Sequence, residues 1–293
     1  MDSSPLASDS ITTAGAALEH FLREHGPVTV LGGAGVSTDS GIPDYRDRDG
    51  NWKTSQPIQG PDFVRHRRVR QRYWARSLIG WQRFGRAAPN RAHFALASLE
   101  RAGLVRHLIT QNVDGLHQRA GSEAVTDLHG RLDRVTCLDC RQTSSRADLQ
   151  LRLAAANPDF LAFDAGDAPD GDARVEDAPF EQFELVGCML CGGTLKPDVV
   201  FFGENVPPQR VADAMQTLDS SGALLVVGSS LMVYSGLRFV RRAVADGKPV
   251  AALTLGKTRA DAELSLKLDA PCGPVLEALA RQLAGDACAN VSV

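Results

Sequence analysis

Two pairs of closely spaced cysteines place the strongest constraint on how this chain of 293 residues can fold. Cys137 and Cys140 form one CxxC motif, and Cys188 and Cys191 form a second. Two such motifs can supply four thiolates to one tetrahedral zinc ion, leaving no open position for chemistry. The alternative is two redox dithiols or disulfides. The spacing favours structural zinc, so the two motifs are expected to meet in the fold.

Composition limits the class of protein. With 43% hydrophobic residues the chain can bury a sizeable core, and a net charge of −3 gives no electrostatic reason to expect a nucleic-acid partner. No stretch approaches the roughly 20 apolar residues that span a bilayer. The acidic, Ser/Thr-rich residues 1–15 lack the features of a signal peptide. We therefore expect a cytoplasmic protein without a membrane partner, and the sequence does not indicate its oligomeric state.

Strand and helix patterns alternate along most of the chain. This alternation predicts an α/β fold with a parallel sheet and right-handed crossovers. The predicted strands cover residues 28–31, 105–110, 198–202, 223–227 and 250–255, and the predicted helices cover 16–25, 90–100, 208–218, 235–246 and 273–283.

A glycine-rich turn follows the first predicted strand. Gly33, Ala34, Gly35 and Ser37 lie where a tight turn and the start of a helix could hold a phosphate group. Thr38 stands where a dinucleotide fingerprint would have its third glycine, so an ordinary strand-to-helix turn is the alternative. The next segment contains the rigid Pro43 followed by Asp44, Tyr45 and Arg46, and it could cover a bound nucleotide or form a surface turn.

Polar residues follow the second predicted strand. Gln111, Asn112 and Asp114 lie at its carboxyl end, the edge of an open α/β sheet where ligands bind. Their side chains can hydrogen-bond a carboxamide and ribose hydroxyls. His129 lies between this strand end and the first CxxC motif and is a general-base candidate, although a single histidine is more often structural.

Two charged segments have no assigned role. Residues 157–184 are acidic and lack periodicity, which indicates an exposed loop. Residues 65–76 are rich in arginine with apolar residues interleaved, which predicts an amphipathic helix with solvated arginines. The alternative is that some of these arginines recognise an acidic group or a partner, and Tyr73 and Arg76 lie three positions apart in this segment.

Together, these motifs resemble the sirtuin family over about residues 14–283. The resemblance rests on the order and spacing of residues 33–46, 110–117, 128–130, the two CxxC pairs, 195–204 and 228–231. Residues 254–261 and 266–273 are similar to the class II branch of that family.

The resemblance implies a Rossmann-like NAD-binding domain that carries a small four-cysteine zinc module. The expected division is a flexible N-terminus (1–13), a Rossmann-like domain (14–135 and 197–286), a zinc module with an acidic insert (136–196) and a tail (287–293).

It also implies roles for individual residues. His129 would be the catalytic base, with Asn112 and Asp114 lining a nicotinamide pocket and Gln111 contacting the nicotinamide ribose. The remaining NAD contacts would come from Gly33, Ala34, Gly35, Ser37, Asp44, Tyr45, Arg46, Gly228, Ser229, Ser230, Thr254, Leu255, Gly256 and Cys272. Thr254 stands where the family usually has Asn, and Asp47 stands where Ser is common.

The implied activity is NAD-dependent removal of acyl groups from protein lysines, yielding nicotinamide and O-acyl-ADP-ribose. The substrate would be an acyl-lysine protein or peptide that adds as a strand beside residues 200–204 and 231–234. Protein mono-ADP-ribosyl transfer, hydride transfer by an oxidoreductase with a zinc ribbon, and an NAD-sensing module without turnover are the alternatives.

Overall fold

The computed structural model describes residues 5–53, 57–163, 166–167, 173–174 and 178–289. Its α-helices are α1 (Pro5–His25), α2 (Gly60–Arg65), α3 (Arg67–Phe84), α4 (Arg91–Arg101), α5 (Leu116–Arg119), α6 (Arg146–Ala156), α7 (Pro208–Asp219), α8 (Tyr234–Ala245) and α9 (Cys272–Ala289). Its strands are β1 (Val28–Gly32), β2 (Val105–Thr110), β3 (Val125–Asp127), β4 (Gly130–Cys137), β5 (Thr143–Ser145), β6 (Gly166–Asp167), β7 (Ala173–Arg174), β8 (Leu195–Val199), β9 (Leu224–Val227), β10 (Val250–Leu253) and β11 (Leu266–Leu268).

A six-stranded parallel sheet forms the larger part of the fold, in the order β11-β10-β9-β1-β2-β3. Every residue of β1, β9 and β10 is buried, and because successive side chains point to opposite sides, these central strands are covered on both faces. In β1, Val28 and Val30 pack with α1, α4 and α9, whereas Leu31 packs with α7 and α8. The predicted α/β class with a parallel sheet is confirmed.

The strand order places a switch point at β1. From β1 the chain continues to β2 and β3 on one side, and it later returns to β9, β10 and β11 on the other. The loops that follow β1 and β9 therefore leave the sheet in different directions. A crevice opens at the carboxyl ends of such strands, where open α/β sheets bind ligands.

A second, smaller sheet joins the two CxxC motifs. Its three antiparallel strands have the order β5-β4-β8, so the chain enters and leaves this module along neighbouring strands. The module reaches beyond the predicted residues 136–196, since β4 begins at Gly130 and β8 ends at Val199. It also shares its hydrophobic core with α3, through Tyr73, Trp74 and Leu78.

Three sequence predictions differ from the structure. The strand expected at 198–202 lies instead at Leu195–Val199, because residues 195–197 pair with β4. The N-terminus, expected to be flexible over 1–13, is helical from Pro5, and Ile11 packs against the core. Helix α9 continues to Ala289, past the predicted end of the domain at residue 286.

The acidic insert is only in part the expected exposed loop. Its described residues include two short 3-10 helices and a two-residue strand pair, and Phe160 and Phe183 are buried against each other with ring centroids 5.1 Å apart. Arg68 pairs with Glu181 of the insert at 3.3 Å, with both side chains exposed. The arginine-rich segment forms the predicted amphipathic helix, α3, and one of its arginines lies against the insert.

None of the helices in the described ranges is long and apolar enough to cross a membrane.

Candidate active site

Two glycine loops meet at the switch point. Gly33 and Gly35 follow β1, and Gly228 follows β9 with φ near 59°. The Gly35 N–H donates to the Gly228 carbonyl oxygen over 2.9 Å. A Cβ on Gly33 would lie 2.6 Å from the Cβ of Ser229, so the loops can approach this closely only if a glycine occupies position 33.

Replacing Gly33 with Ala is expected to weaken NAD binding at least tenfold. Gly33 has an extended backbone, with φ of −134°, so the effect would be steric and not conformational. The added methyl group would push the two loops apart and change the cradle between them. Calorimetric titration with NAD measures the change. Gly15→Ala, where an added Cβ meets nothing within 4 Å, is the control; equal affinity in both variants would contradict the prediction.

A buried hydrogen-bond network ties the first loop to the end of β2. The Ser37 hydroxyl donates to Asp114 Oδ2 over 2.7 Å. The Asn112 amide donates to the Ser37 hydroxyl and to the Gly33 carbonyl oxygen, each over 3.0 Å. Burial raises the pKa of the Asp114 carboxyl. The two predicted pocket residues are therefore fixed against the nucleotide loop in one arrangement.

His129 is fixed at both ring nitrogens. Nδ1 lies 2.9 Å from the Gln111 carbonyl oxygen, and Nε2 lies 2.8 Å from Ser235 Oγ. Burial lowers the pKa of this histidine, and the cations of Arg210 and Arg238 lower it further against the opposing effect of the hydrogen bond to Gln111. The ring is therefore neutral near pH 7, which a general base requires.

The Gln111 side chain joins the two halves of the sheet edge. Its amide donates to the Ser229 hydroxyl over 2.8 Å and faces the Gly32 carbonyl oxygen at 3.3 Å. A Cβ on Gly236 would lie 2.5 Å from Gln111 Oε1, so helix α8 also packs closely on this residue. The side chain and the carbonyl group of Gln111 thus hold β2, β9 and His129 together.

The segment after the nucleotide loop forms one wall of the crevice. The Arg46 guanidinium lies 3.8 Å from the centre of the Trp52 ring and donates to the Gly50 carbonyl oxygen over 2.7 Å. Lys53 pairs with Asp44 at 2.5 Å. Trp52 also packs edge-on against Phe202. The wall is therefore held by contacts within the segment and by aromatic contacts of Tyr45 and Trp52 with Phe202 across the crevice.

These elements enclose a cavity of about 620 Å³, within the usual size range of ligand pockets. It is lined by the predicted base and pocket residues His129, Gln111, Asn112 and Asp114, and by Gly33, Ala34, Gly35, Ser37, Asp44, Tyr45, Arg46, Gly228, Ser229, Ser230, Thr254, Leu255 and Cys272. Gly256 is not among the residues that line it. A left-handed turn places Gly256 against the backbone of Arg48, where a Cβ would lie 2.3 Å from the carbonyl oxygen.

Some site residues were missed by the sequence analysis. Ser235 bonds to His129, and Trp52 and Phe202 line the cavity, yet none was singled out. A serine one residue into a helix carries no distinctive local pattern. Trp52, only six residues beyond Arg46, offered a weak signal, because an exposed aromatic near a charged loop indicates a binding surface.

Two further histidines are buried beneath the nucleotide loop. His93 and His117 have ring centroids 4.8 Å apart. Burial lowers the pKa of His93 to about 4 and that of His117 well below its ordinary value. Neither ring nitrogen of His117 has a hydrogen-bond partner among the described residues. Both rings are therefore neutral in the folded chain at neutral pH.

The free energy of unfolding is expected to fall as the pH drops from about 6.5 towards 4. In that window the unfolded chain protonates both histidines, whereas the folded chain does not. At pH 5 each ring contributes a loss of up to about 2 kcal/mol. Urea denaturation at pH 7.5 and pH 5 measures it. His117→Met should reduce the pH dependence, and the exposed His20→Gln should not; an identical dependence in all three proteins would contradict this account.

The four cysteines of the two CxxC motifs meet as predicted. All four Sγ atoms lie within 4.8 Å of one another, and two pairs that join different motifs are separated by 3.6 Å (Cys137–Cys191) and 3.8 Å (Cys140–Cys188). A tetrahedron with zinc–sulfur bonds of about 2.3 Å has edges of about 3.8 Å. The residues fit a structural zinc ion better than two redox dithiols.

A sequence model of the Sir2 family matches residues 33–235. The chain belongs to the Sir2 family. It is 55% identical over 267 residues to the "NAD-dependent protein deacetylase" of Xanthomonas campestris pv. campestris, covering 91% of each chain. It is 54% identical over 276 residues to the "NAD-dependent protein deacetylase 2" of Bradyrhizobium diazoefficiens, covering 94% of this chain and 98% of the relative.

Solved Sir2 structures share the fold. The chain superposes on the structure described as "Structural Basis for the Mechanism and Regulation of Sir2 Enzymes" with a TM-score of 0.71, at 30% identity, covering 92% of this chain and 98% of the other. For "Sir2-p53 peptide-NAD+" the TM-score is 0.68 at 29% identity, covering 94% and 98%. The predicted family is therefore confirmed, whereas its class II branch stays a prediction.

Proposed function

We propose that this Sir2-family protein removes acyl groups from lysine side chains of proteins or peptides and consumes NAD in doing so. The observation that carries the proposal is the position of His129, a neutral imidazole that lines the same cavity as the nucleotide loop and the polar end of β2. The names of the two bacterial relatives, both NAD-dependent protein deacetylases, support the same activity.

The residues of the crevice fit NAD. Gly33, Gly35 and Ser37 would hold its pyrophosphate, and Asn112 with Asp114 would hold its nicotinamide carboxamide. Bound NAD would supply the ribose carbon that the acyl oxygen attacks, with nicotinamide as the leaving group. Thr254 lines the cavity, and its hydroxyl would serve where the family usually has Asn.

His129 would act as the general base. The Gln111 carbonyl oxygen can only accept a hydrogen bond, so Nδ1 carries the proton and Nε2 carries the lone pair. Nε2 would take a proton from a ribose hydroxyl as that oxygen attacks the acyl carbon. The closed wall formed by Arg46 and Trp52 would keep water out of the crevice during this step.

The peptide would lie as an added strand between residues 200–204 and 231–234, since both segments line the cavity. The acyl group would lie against the apolar residues Ile58, Phe84 and Leu132, which line the cavity and would form its acyl end. Tyr73 also lines it, whereas Arg76 is not among the lining residues. This arrangement favours uncharged acyl groups over dicarboxylic ones.

The alternative activities have less support. A hydride-transferring dehydrogenase would place an acidic residue at the end of the second strand for the ribose, and β2 ends instead at Thr110 followed by Gln111. Mono-ADP-ribosyl transfer to protein would use the same cavity, and product analysis separates it from deacylation.

The test is to incubate the purified protein with NAD and a panel of acyl-lysine peptides and to follow the products by mass spectrometry. Nicotinamide together with O-acyl-ADP-ribose is expected. ADP-ribose left on protein would favour the transferase, and no consumption of NAD with any peptide would contradict both activities.

We also propose a cytoplasmic location. Thiols held 3.6 to 3.8 Å apart, as in the four-cysteine cluster, need a reducing compartment to remain zinc ligands and not form disulfides. Thiol titration of protein freshly released from cells, under conditions that trap disulfides, tests this.

A further inference from the structure

The lone pair of His129, the proposed base, already accepts a hydrogen bond from within the protein. His129 Nε2 lies 2.8 Å from Ser235 Oγ. Because Nδ1 donates to the Gln111 carbonyl oxygen, Nε2 is the accepting nitrogen, and the Ser235 hydroxyl must be the donor. An imidazole nitrogen has one lone pair in the plane of its ring. A second hydroxyl cannot donate to Nε2 along that direction while Ser235 does.

The position of Ser235 is fixed by the start of helix α8. This helix begins at Tyr234, and Gly236 packs so closely on Gln111 that an added Cβ would lie 2.5 Å from the Gln111 side chain. The residue that sets the tautomer of His129 therefore also sets the distance between α8 and the imidazole. Within the described part of the chain, His129 is the partner of the Ser235 hydroxyl.

We propose that Ser235 is a positioning residue. Its hydroxyl donates to His129 Nε2 before substrate binds, and a ribose hydroxyl of NAD, the substrate hydroxyl, replaces it as the donor. This inference rests on the proposed function, in which His129 is the base. When substrate binds, the Ser235 hydroxyl rotates away and the substrate hydroxyl donates to Nε2 in its place. The proton then moves from that hydroxyl to Nε2, and no covalent bond to Ser235 forms or breaks.

The exchange has a measurable consequence. The hydrogen bond between Ser235 and His129 stabilises the free enzyme and must be broken before turnover. Removing it should therefore raise kcat/KM by about two- to tenfold, the factor that corresponds to one neutral hydrogen bond. The gain should appear as a lower KM for NAD, because the hydrogen bond between Ser235 and His129 is already absent once the substrate is bound. If Ser235 only stabilised helix α8, replacing it would instead lower kcat/KM.

The experiment compares Ser235→Ala with Ser235→Thr, which keeps the hydroxyl, and with Ser220→Ala. Ser220 is exposed at the end of α7, and its hydroxyl donates to the Thr217 carbonyl oxygen of that helix. Deacylation kinetics give kcat and KM for NAD. Nitrogen-15 spectra of the ligand-free protein, labelled at histidine, report the hydrogen bond at His129 Nε2 independently of activity.

In Ser235→Ala, KM should fall two- to tenfold with kcat unchanged, and the Nε2 resonance of His129 should shift. Ser235→Thr and Ser220→Ala should match the wild-type protein in both measurements. Unchanged kinetics and an unchanged resonance in Ser235→Ala would overturn the inference, and so would a lower kcat. If the wild-type protein consumes no NAD with any peptide, the proposed function itself fails. If the wild-type protein is active and Ser235→Ala shows neither the lower KM nor the shifted resonance, only the inference about Ser235 fails.

Discussion

Replacing His129 with Asn is expected to lower the rate of deacylation by about 10²- to 10⁴-fold, the usual contribution of a general base. The Asn amide can still donate to the Gln111 carbonyl oxygen in the place of Nδ1, but it offers no acceptor at the position of Nε2. The variant therefore removes the base and keeps the hydrogen bond to Gln111 that orients the side chain at this position. Zinc content and melting temperature should stay at wild-type values.

The pH dependence of the wild-type enzyme gives a second measurement of the same residue. Burial and two nearby arginines lower the pKa of His129, so the ring keeps its lone pair below pH 6.5. The acid limb of kcat/KM should lie below that pH. A His129→Asn protein with full activity would remove the base assignment, and an acid limb well above pH 6.5 would contradict the neutral, buried ring.

The sequence predicts the four central strands of the large sheet, β10, β9, β1 and β2, but not its short edge strands β3 and β11, and the reason is local. In β1 and β9, short apolar runs end at glycines, and helical patterns separate the strands. The limits of these strands and their parallel direction therefore follow from neighbouring residues. The site residues are predicted for a related reason. Functional side chains of an open α/β sheet follow the carboxyl ends of its strands, and polar residues directly after a buried strand are easy to recognise.

The zinc module is predicted less well, because its structure depends on contacts between distant residues. Strand β5 is short and fully exposed, and β4 mixes polar and apolar residues, so neither has a distinct local pattern. The composition of the acidic insert predicts a loop, yet its residues Phe160 and Phe183 are buried against the arginine-rich helix α3. Ser235 escapes prediction for the same reason, since 106 positions separate it from His129.

Removing one zinc ligand should have the largest effect on stability. In Cys140→Ala, three thiolates remain, and the cluster should lose its zinc. Structural zinc contributes an apparent 10–16 kcal/mol in small domains, about as much as or more than the total stability of a typical domain. The zinc module is therefore expected to unfold. Elemental analysis of zinc per chain and thermal denaturation measure the loss.

Unfolding of the module should also abolish deacylation, although the zinc ion would take no part in the chemistry. Arg146, the first residue of α6 in the module, is buried and donates to the carbonyl and hydroxyl oxygens of Ser77 in α3. Tyr73 of the same helix lines the cavity, so the module supports the acyl end of the site. Met189, 82% exposed between two zinc ligands, supplies the control. Met189→Ala should keep zinc, stability and activity, and an active Cys140→Ala protein with a wild-type melting temperature would show that the cluster does not hold this part of the fold.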